Sequence, residues 1–126
     1  MASRGKQFRE LLKEPGIIIS PGVYDGYSTR LVEAAGFRLG AISGAGVSES
    51  RLGWADRGVM TFEVNLDNAR RLVDCTETLL LRADADTGYG NPINVRRTVR
   101  AYERANVAAI HIEDQQWPKR CGHFSG

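Results

Sequence analysis

Leu79-Leu80-Leu81-Arg82-Ala83-Asp84-Ala85-Asp86-Thr87-Gly88-Tyr89-Gly90-Asn91-Pro92 decides the fold. Three leucines open an apolar run of buried-strand type. The run ends in two acids, passes through a glycine-bearing loop, and reaches Asn91-Pro92. An asparagine followed by proline is a helix start, because the side chain caps the first turn and proline suits the first helical position. Val95, Val99 and Tyr102 then give a helix one apolar face, and Asn106 suits a left-handed stop. One strand, one polar loop and one helix therefore follow in order.

The same unit recurs on both sides. Upstream, residues 3–14 carry Phe8, Leu11 and Leu12 at helical spacing, and Pro15-Gly16 stops that helix. Ile17-Ile18-Ile19 reads as the first strand, ended by Pro21-Gly22. Asp25 caps a helix whose apolar face includes Leu31, Ala34 and Ala35, with Gly36 as its stop. Residues 37–42 read as a second strand running into Ser43-Gly44-Ala45-Gly46, followed by a polar connection over residues 47–60. Thr61 caps a helix carrying Leu66, Ala69, Leu72 and Val73. Downstream, Val107-Ala108-Ala109-Ile110 opens a fourth strand. Apolar strands alternating with amphipathic helices predict an α/β protein with a parallel sheet covered by helices, either doubly wound or part of a (βα) barrel.

In such folds ligands sit at the C-terminal ends of the strands, and here those ends carry the polar chemistry. Asp84 and Asp86, two apart, share a face if the backbone stays extended. With Glu113 on the neighbouring strand they form a carboxylate set suited to a hard cation such as Mg2+; a loop- or helix-capping pair is the alternative. His111 would face the same way as Glu113, placed to hydrogen-bond a developing enolate oxygen. Cys121 lies among Lys119, Arg120 and His123, cations that favour a thiolate or a thiol able to give up its proton. A zinc site from Cys121, His123 and His111 lacks paired ligand spacing. Ser43-Gly44-Ala45-Gly46 offers backbone amides for a carboxylate or phosphate but is no dinucleotide fingerprint, since Glu49 stands where a third glycine belongs.

The 126 residues are 42% hydrophobic and 25% charged with a net charge of +2, which fits a single globular domain. Lysines and arginines are interleaved with acids, so no nucleic-acid surface is expected. No apolar stretch is long enough to cross a membrane, no secretory signal is expected, and two cysteines make no disulfide framework. The expected setting is cytoplasmic.

Taken together, Pro21-Gly22-Val23-Tyr24-Asp25, Ser43-Gly44-Ala45-Gly46-Val47-Ser48, Asp84-Ala85-Asp86-Thr87-Gly88-Tyr89-Gly90, His111-Ile112-Glu113-Asp114-Gln115 and Pro118-Lys119-Arg120-Cys121-Gly122-His123 resemble the isocitrate lyase/phosphoenolpyruvate mutase superfamily. The resemblance implies the N-terminal half of a (βα)8 TIM-type barrel. Residues 1–126 would form about four βα units, with strands five to eight absent. It implies Mg2+ held directly or through water by Asp84, Asp86 and Glu113. It also implies a small carboxylic acid substrate contacted by Ser43, Gly44, Ala45, Gly122 and His123. Cys121 would be the general acid, with His111, Lys119 and Asp56 as further catalytic groups.

Lys119-Arg120-Cys121-Gly122-His123 is similar to the lyase branch, which cleaves methylisocitrate- or dimethylmalate-type 2-hydroxy acids. Phosphonate mutase or hydrolase, oxaloacetate decarboxylase, and a non-catalytic half-barrel that folds by association are the alternatives. Open sheet edges favour a homo-oligomer. Three departures stand out: Ala41 where the family has an aromatic residue, Trp54-Ala55 before Asp56, and Arg82 where a strand residue should be apolar. If Arg82 faces inward, it competes with a metal for the charge of Asp84 and Asp86.

Overall fold

The computed structural model describes residues 3–125. Four parallel strands, β1 (Gly22–Val23), β2 (Leu39–Ile42), β3 (Leu80–Asp84) and β4 (Ala109–His111), lie side by side in chain order. The helices α1 (Arg4–Leu11), α2 (Gly26–Ala34), α3 (Gly44–Val47), α4 (Phe62–Asp74) and α5 (Pro92–Arg104) connect or flank them. A single π-turn (Ser48–Leu52) continues α3. A parallel sheet in sequential order, with helical crossovers, is the pattern of an opened (βα) barrel.

The helix starts follow from local chemistry. Asp25 and Asn91 form capping boxes with Ser28 and Asn94, and the Thr61 side chain accepts from the Val64 amide. Gly36 and Asn106 take the left-handed backbone that ends a helix. In α4, Leu66, Ala69, Leu72 and Val73 are all buried. They pack with Val23, Ile42, Leu81 and Ala83, and with Tyr102 of α5, in the main core. On the other sheet face Leu39 and Leu80 meet Leu11 and Phe8 of α1. Arg4 ties α1 beneath the strands, donating from Nη1 to Thr76 Oγ1 (2.9 Å) and Leu79 O (2.8 Å).

Three expectations are corrected. Residues 17–19 form no strand: Ile17 is 94% exposed, and the first strand is the Gly22–Val23 pair expected to lie beyond it. Pairing decides this, because Gly22 and Val23 stand opposite Ala41 and Ile42, and Pro21 O accepts from the Ala41 amide (2.8 Å). The polar connection after residue 46 is not wholly irregular, since it begins with the π-turn. Leu31, Ala34, Ala35 and Val99 are exposed; Thr29 takes the buried place on α2, and Thr98 joins Tyr102 on α5.

Candidate metal and thiol site

Strand register places side chains in rows. Gly22, Ala41, Arg82 and Ala109 stand opposite one another across the sheet, and two residues further along Asp84 stands opposite His111. Leu80, Arg82 and Asp84 therefore share one face, the one turned away from α4 and α5. That face lines a cleft of about 510 Å³ at the C-terminal ends of the strands. Ser43, Gly44 and Ala45 from the β2 end, Asp56, and Cys121, Gly122 and His123 from the last loop reach the same cleft.

Asp84, His111 and Glu113 offer ligand atoms within 4.8 Å of one another, all three half-buried. The Asp86 amide donates to Asp84 Oδ1 (2.8 Å), and His111 Nε2 lies 3.4 Å from the same oxygen. Glu113 is set by its own amide, which donates to Asp86 O (2.7 Å), and by Gln115 Nε2, which donates to its Oε2 (2.7 Å). A Cβ on Gly44 would collide with the Asp84 carboxylate, so only glycine lets the β2 end come this near to the acid.

Asp86 stands apart from this group. Its φ of 46° breaks the extended backbone after Asp84, so the two side chains do not run along one face. Its carboxylate is buried instead against Lys119, with Oδ1 2.6 Å from Nζ. The same ammonium meets both Asp56 oxygens (3.2 and 3.0 Å) and lies 3.8 Å from Glu113. Burial opposes the charge on Lys119. The hydrogen bonds to Asp86 and Asp56 outweigh it and hold the ammonium above its usual range. Lys119 thus neutralises two buried carboxylates and leaves Asp84 and Glu113 facing the cleft.

Arg82 does not compete for the acids. Among the described residues it forms no ion pair, and its Nη1 donates to His111 Nδ1 (2.8 Å). A guanidinium cannot accept, so Nδ1 is the acceptor and the proton of the neutral ring sits on Nε2. His111 then presents an N–H toward Asp84 and the cleft rather than a free ligand lone pair. Two carboxylates completed by water and substrate oxygens are a donor set that Mg2+ accepts.

The thiol is positioned by Asp56, whose carbonyl accepts from the Cys121 amide (2.9 Å). Cys121 Sγ lies 3.4 Å from His123 Nδ1. At the β2 end, the Ser43 hydroxyl is turned inward to its own chain and accepts from the Gly46 amide (3.0 Å). That contact takes up one amide of residues 43–46, which start a short helix.

Sequence reading missed Asn65 and Tyr89. Asn65 Nδ2 donates to the Tyr89 hydroxyl (2.6 Å) and lies 3.4 Å from Asp86 Oδ2. The available signal was a polar residue three after Phe62, on the buried stripe of α4 whose only other polar member among the described residues is Asn68.

The family model "Phosphoenolpyruvate phosphomutase" matches residues 8–124. An isocitrate lyase of Haloferax volcanii is 42% identical over 123 residues, 98% of this chain and 35% of that protein. The structure of oxaloacetate acetylhydrolase in complex with 3,3-difluorooxalacetate superposes with a TM-score of 0.94 at 44% identity, covering 98% of this chain and 42% of that one. A phosphonopyruvate hydrolase structure with oxalate and Mg2+ superposes with a TM-score of 0.86 at 29% identity, covering 94% and 41%. The chain thus spans well under half the length of these relatives. Its sheet order, its rim of acids and its match along nearly the whole sequence make it a member of the isocitrate lyase/phosphoenolpyruvate mutase superfamily.

Proposed function

We propose that this chain carries the metal- and thiol-bearing half of a Mg2+-dependent carbon–carbon lyase acting on a small 2-hydroxy di- or tricarboxylic acid. One observation carries the reading: the Asp84 and Glu113 carboxylates and the Cys121 thiol line a single cleft, while Lys119 holds the other acids. Asp84 and Glu113 would hold the ion, which supplies positive charge to a developing enolate. Asp86 would act on it through Lys119 and through its carbonyl, which positions Glu113. Kinship with lyases supports the cleavage chemistry, and the Mg2+ in a superfamily structure supports the ion.

In the reaction the 2-hydroxyl gives its proton to bulk water, the bond between carbons 2 and 3 breaks, and the electron pair passes to the carboxylate-bearing fragment as an enolate. The carbonyl fragment is a 2-oxo acid. The Nε2–H of His111 donates a hydrogen bond to the developing oxyanion. Cys121 gives its S–H proton to the enolate carbon, and His123 Nδ1, 3.4 Å away, restores it. Ser43, Gly44, Ala45 and Gly122 line the cleft walls, where they would meet the substrate. Asp56 holds Lys119 and the thiol loop in place.

The test is an assay of the protein over a panel of 2-hydroxy di- and tricarboxylic acids, with and without Mg2+, alongside Cys121→Ser. Mg2+-dependent cleavage should fall about hundredfold to ten-thousandfold in the variant. Cleavage indifferent to Cys121, or decarboxylation in its place, contradicts the lyase reading.

A further inference from the structure

The row Gly22, Ala41, Arg82, Ala109 holds one large side chain among three small ones. A Cβ placed on Gly22 meets nothing within 4 Å, so the space beside the guanidinium is open. Arg82 is half-buried and lines the cleft two residues below Asp84, on the same face. Its one hydrogen bond among the described residues is the Nη1 contact to His111 (2.8 Å). A guanidinium carries five N–H donors, so most of its donors have no protein partner here. Ser20, on the same cleft wall, has a buried hydroxyl oxygen without a hydrogen-bond partner. A half-buried cation that lines the cleft with most of its donors free of partners among the described residues calls for an anion, and the unpartnered hydroxyl of Ser20 lies in the same wall.

We propose that Arg82 is a specificity-determining residue that takes a second carboxylate of the substrate on the floor of the cleft, below the end held at Asp84 and Glu113. This rests on the lyase reading and narrows its substrate class. The acid must carry one carboxylate beside the 2-hydroxyl and another that reaches the row of Ala41. A bulky side chain at residue 41 would fill the space that this carboxylate occupies. The bond to His111 aims the guanidinium from the side, leaving Nη2 and Nε to form the paired contact that a planar fork makes with a carboxylate.

Binding of L-malate and L-lactate to the full chain, each with saturating Mg2+ and without it, tests this by calorimetry. The two acids share the 2-hydroxy acid end and differ in the second carboxylate. The wild-type chain should bind malate at least about tenfold more tightly than lactate. Arg82→Met should abolish that preference, with malate losing far more affinity than lactate. Arg82→Gln, which keeps a polar side chain should the apolar variant fail to fold, should do the same. Arg82→Lys should keep part of the preference. A malate preference that survives in Arg82→Met and Arg82→Gln, or a wild-type chain with no preference, overturns the proposal. Equal loss of both acids in the neutral variants overturns it too, because the residue is then structural. Failure of the lyase reading looks different: binding of both acids becomes independent of Mg2+. A chain that binds neither acid overturns both.

Discussion

Lys119 Nζ lies 2.6 Å from Asp86 Oδ1 with both side chains almost completely buried. Asp56 completes the cluster on the other side of the ammonium. Removing the cation would leave two carboxylates buried together with no neutralising charge. Lys119→Met should therefore lower stability by about 3–5 kcal/mol, read by urea denaturation. Lys119→Met combined with Asp86→Asn should recover part of that loss. A single variant as stable as the wild type would show that these acids are solvated or protonated.

Gly44 admits the Asp84 carboxylate where a Cβ would collide with it. Gly44→Ala should displace that carboxylate and weaken Mg2+ binding about tenfold to hundredfold, the range seen when groups around a ligand are disturbed. Calorimetry reads the affinity. Unchanged affinity would mean that Asp84 has freedom to move aside.

Glu33 joins α2 to the start of β3. Its Oε1 accepts from the amides of Glu77 (3.0 Å), Thr78 (2.7 Å) and Leu79 (2.9 Å). Burial pushes this carboxyl up, but the amides of Leu79, Thr78 and Glu77 and the Thr78 hydroxyl outweigh it and hold it below the ordinary 4.5. The unfolded chain then binds more protons than the folded one. The stabilisation is complete above pH 4.5 and is lost as pH falls through the lower folded value. Glu33→Gln should cost about 1–2 kcal/mol at neutral pH, and the gap should close in acid. A gap of the same size at all pH values would contradict this.

The helices were legible in the sequence because their causes are local. Asn91-Pro92, Thr61 and Asp25 cap the helices they were expected to cap, and Gly36 and Asn106 end two of them. The first strand was not legible. Ile17-Ile18-Ile19 looks like a core strand, but which residues pair is set by β2, distant in sequence, and β2 selects Gly22 and Val23.

The site divides the same way. That acids gather at strand ends follows from strand order. How they divide between a cleft and a lysine depends on the left-handed turn at Asp86, on Asn65 from α4, and on a lysine 33 positions beyond that acid. Arg82 was legible as an anomaly, yet its contact with His111, which stands two residues beyond its own partner Ala109, appears only from the register of β3 against β4.

Titration of the chain with Mn2+, followed by electron paramagnetic resonance and competed with Mg2+, tests the central claim most directly. One saturable site is expected, weakened at least about tenfold in both Asp84→Asn and Glu113→Gln. No saturable site, or variants that bind as the wild type does, would contradict the account.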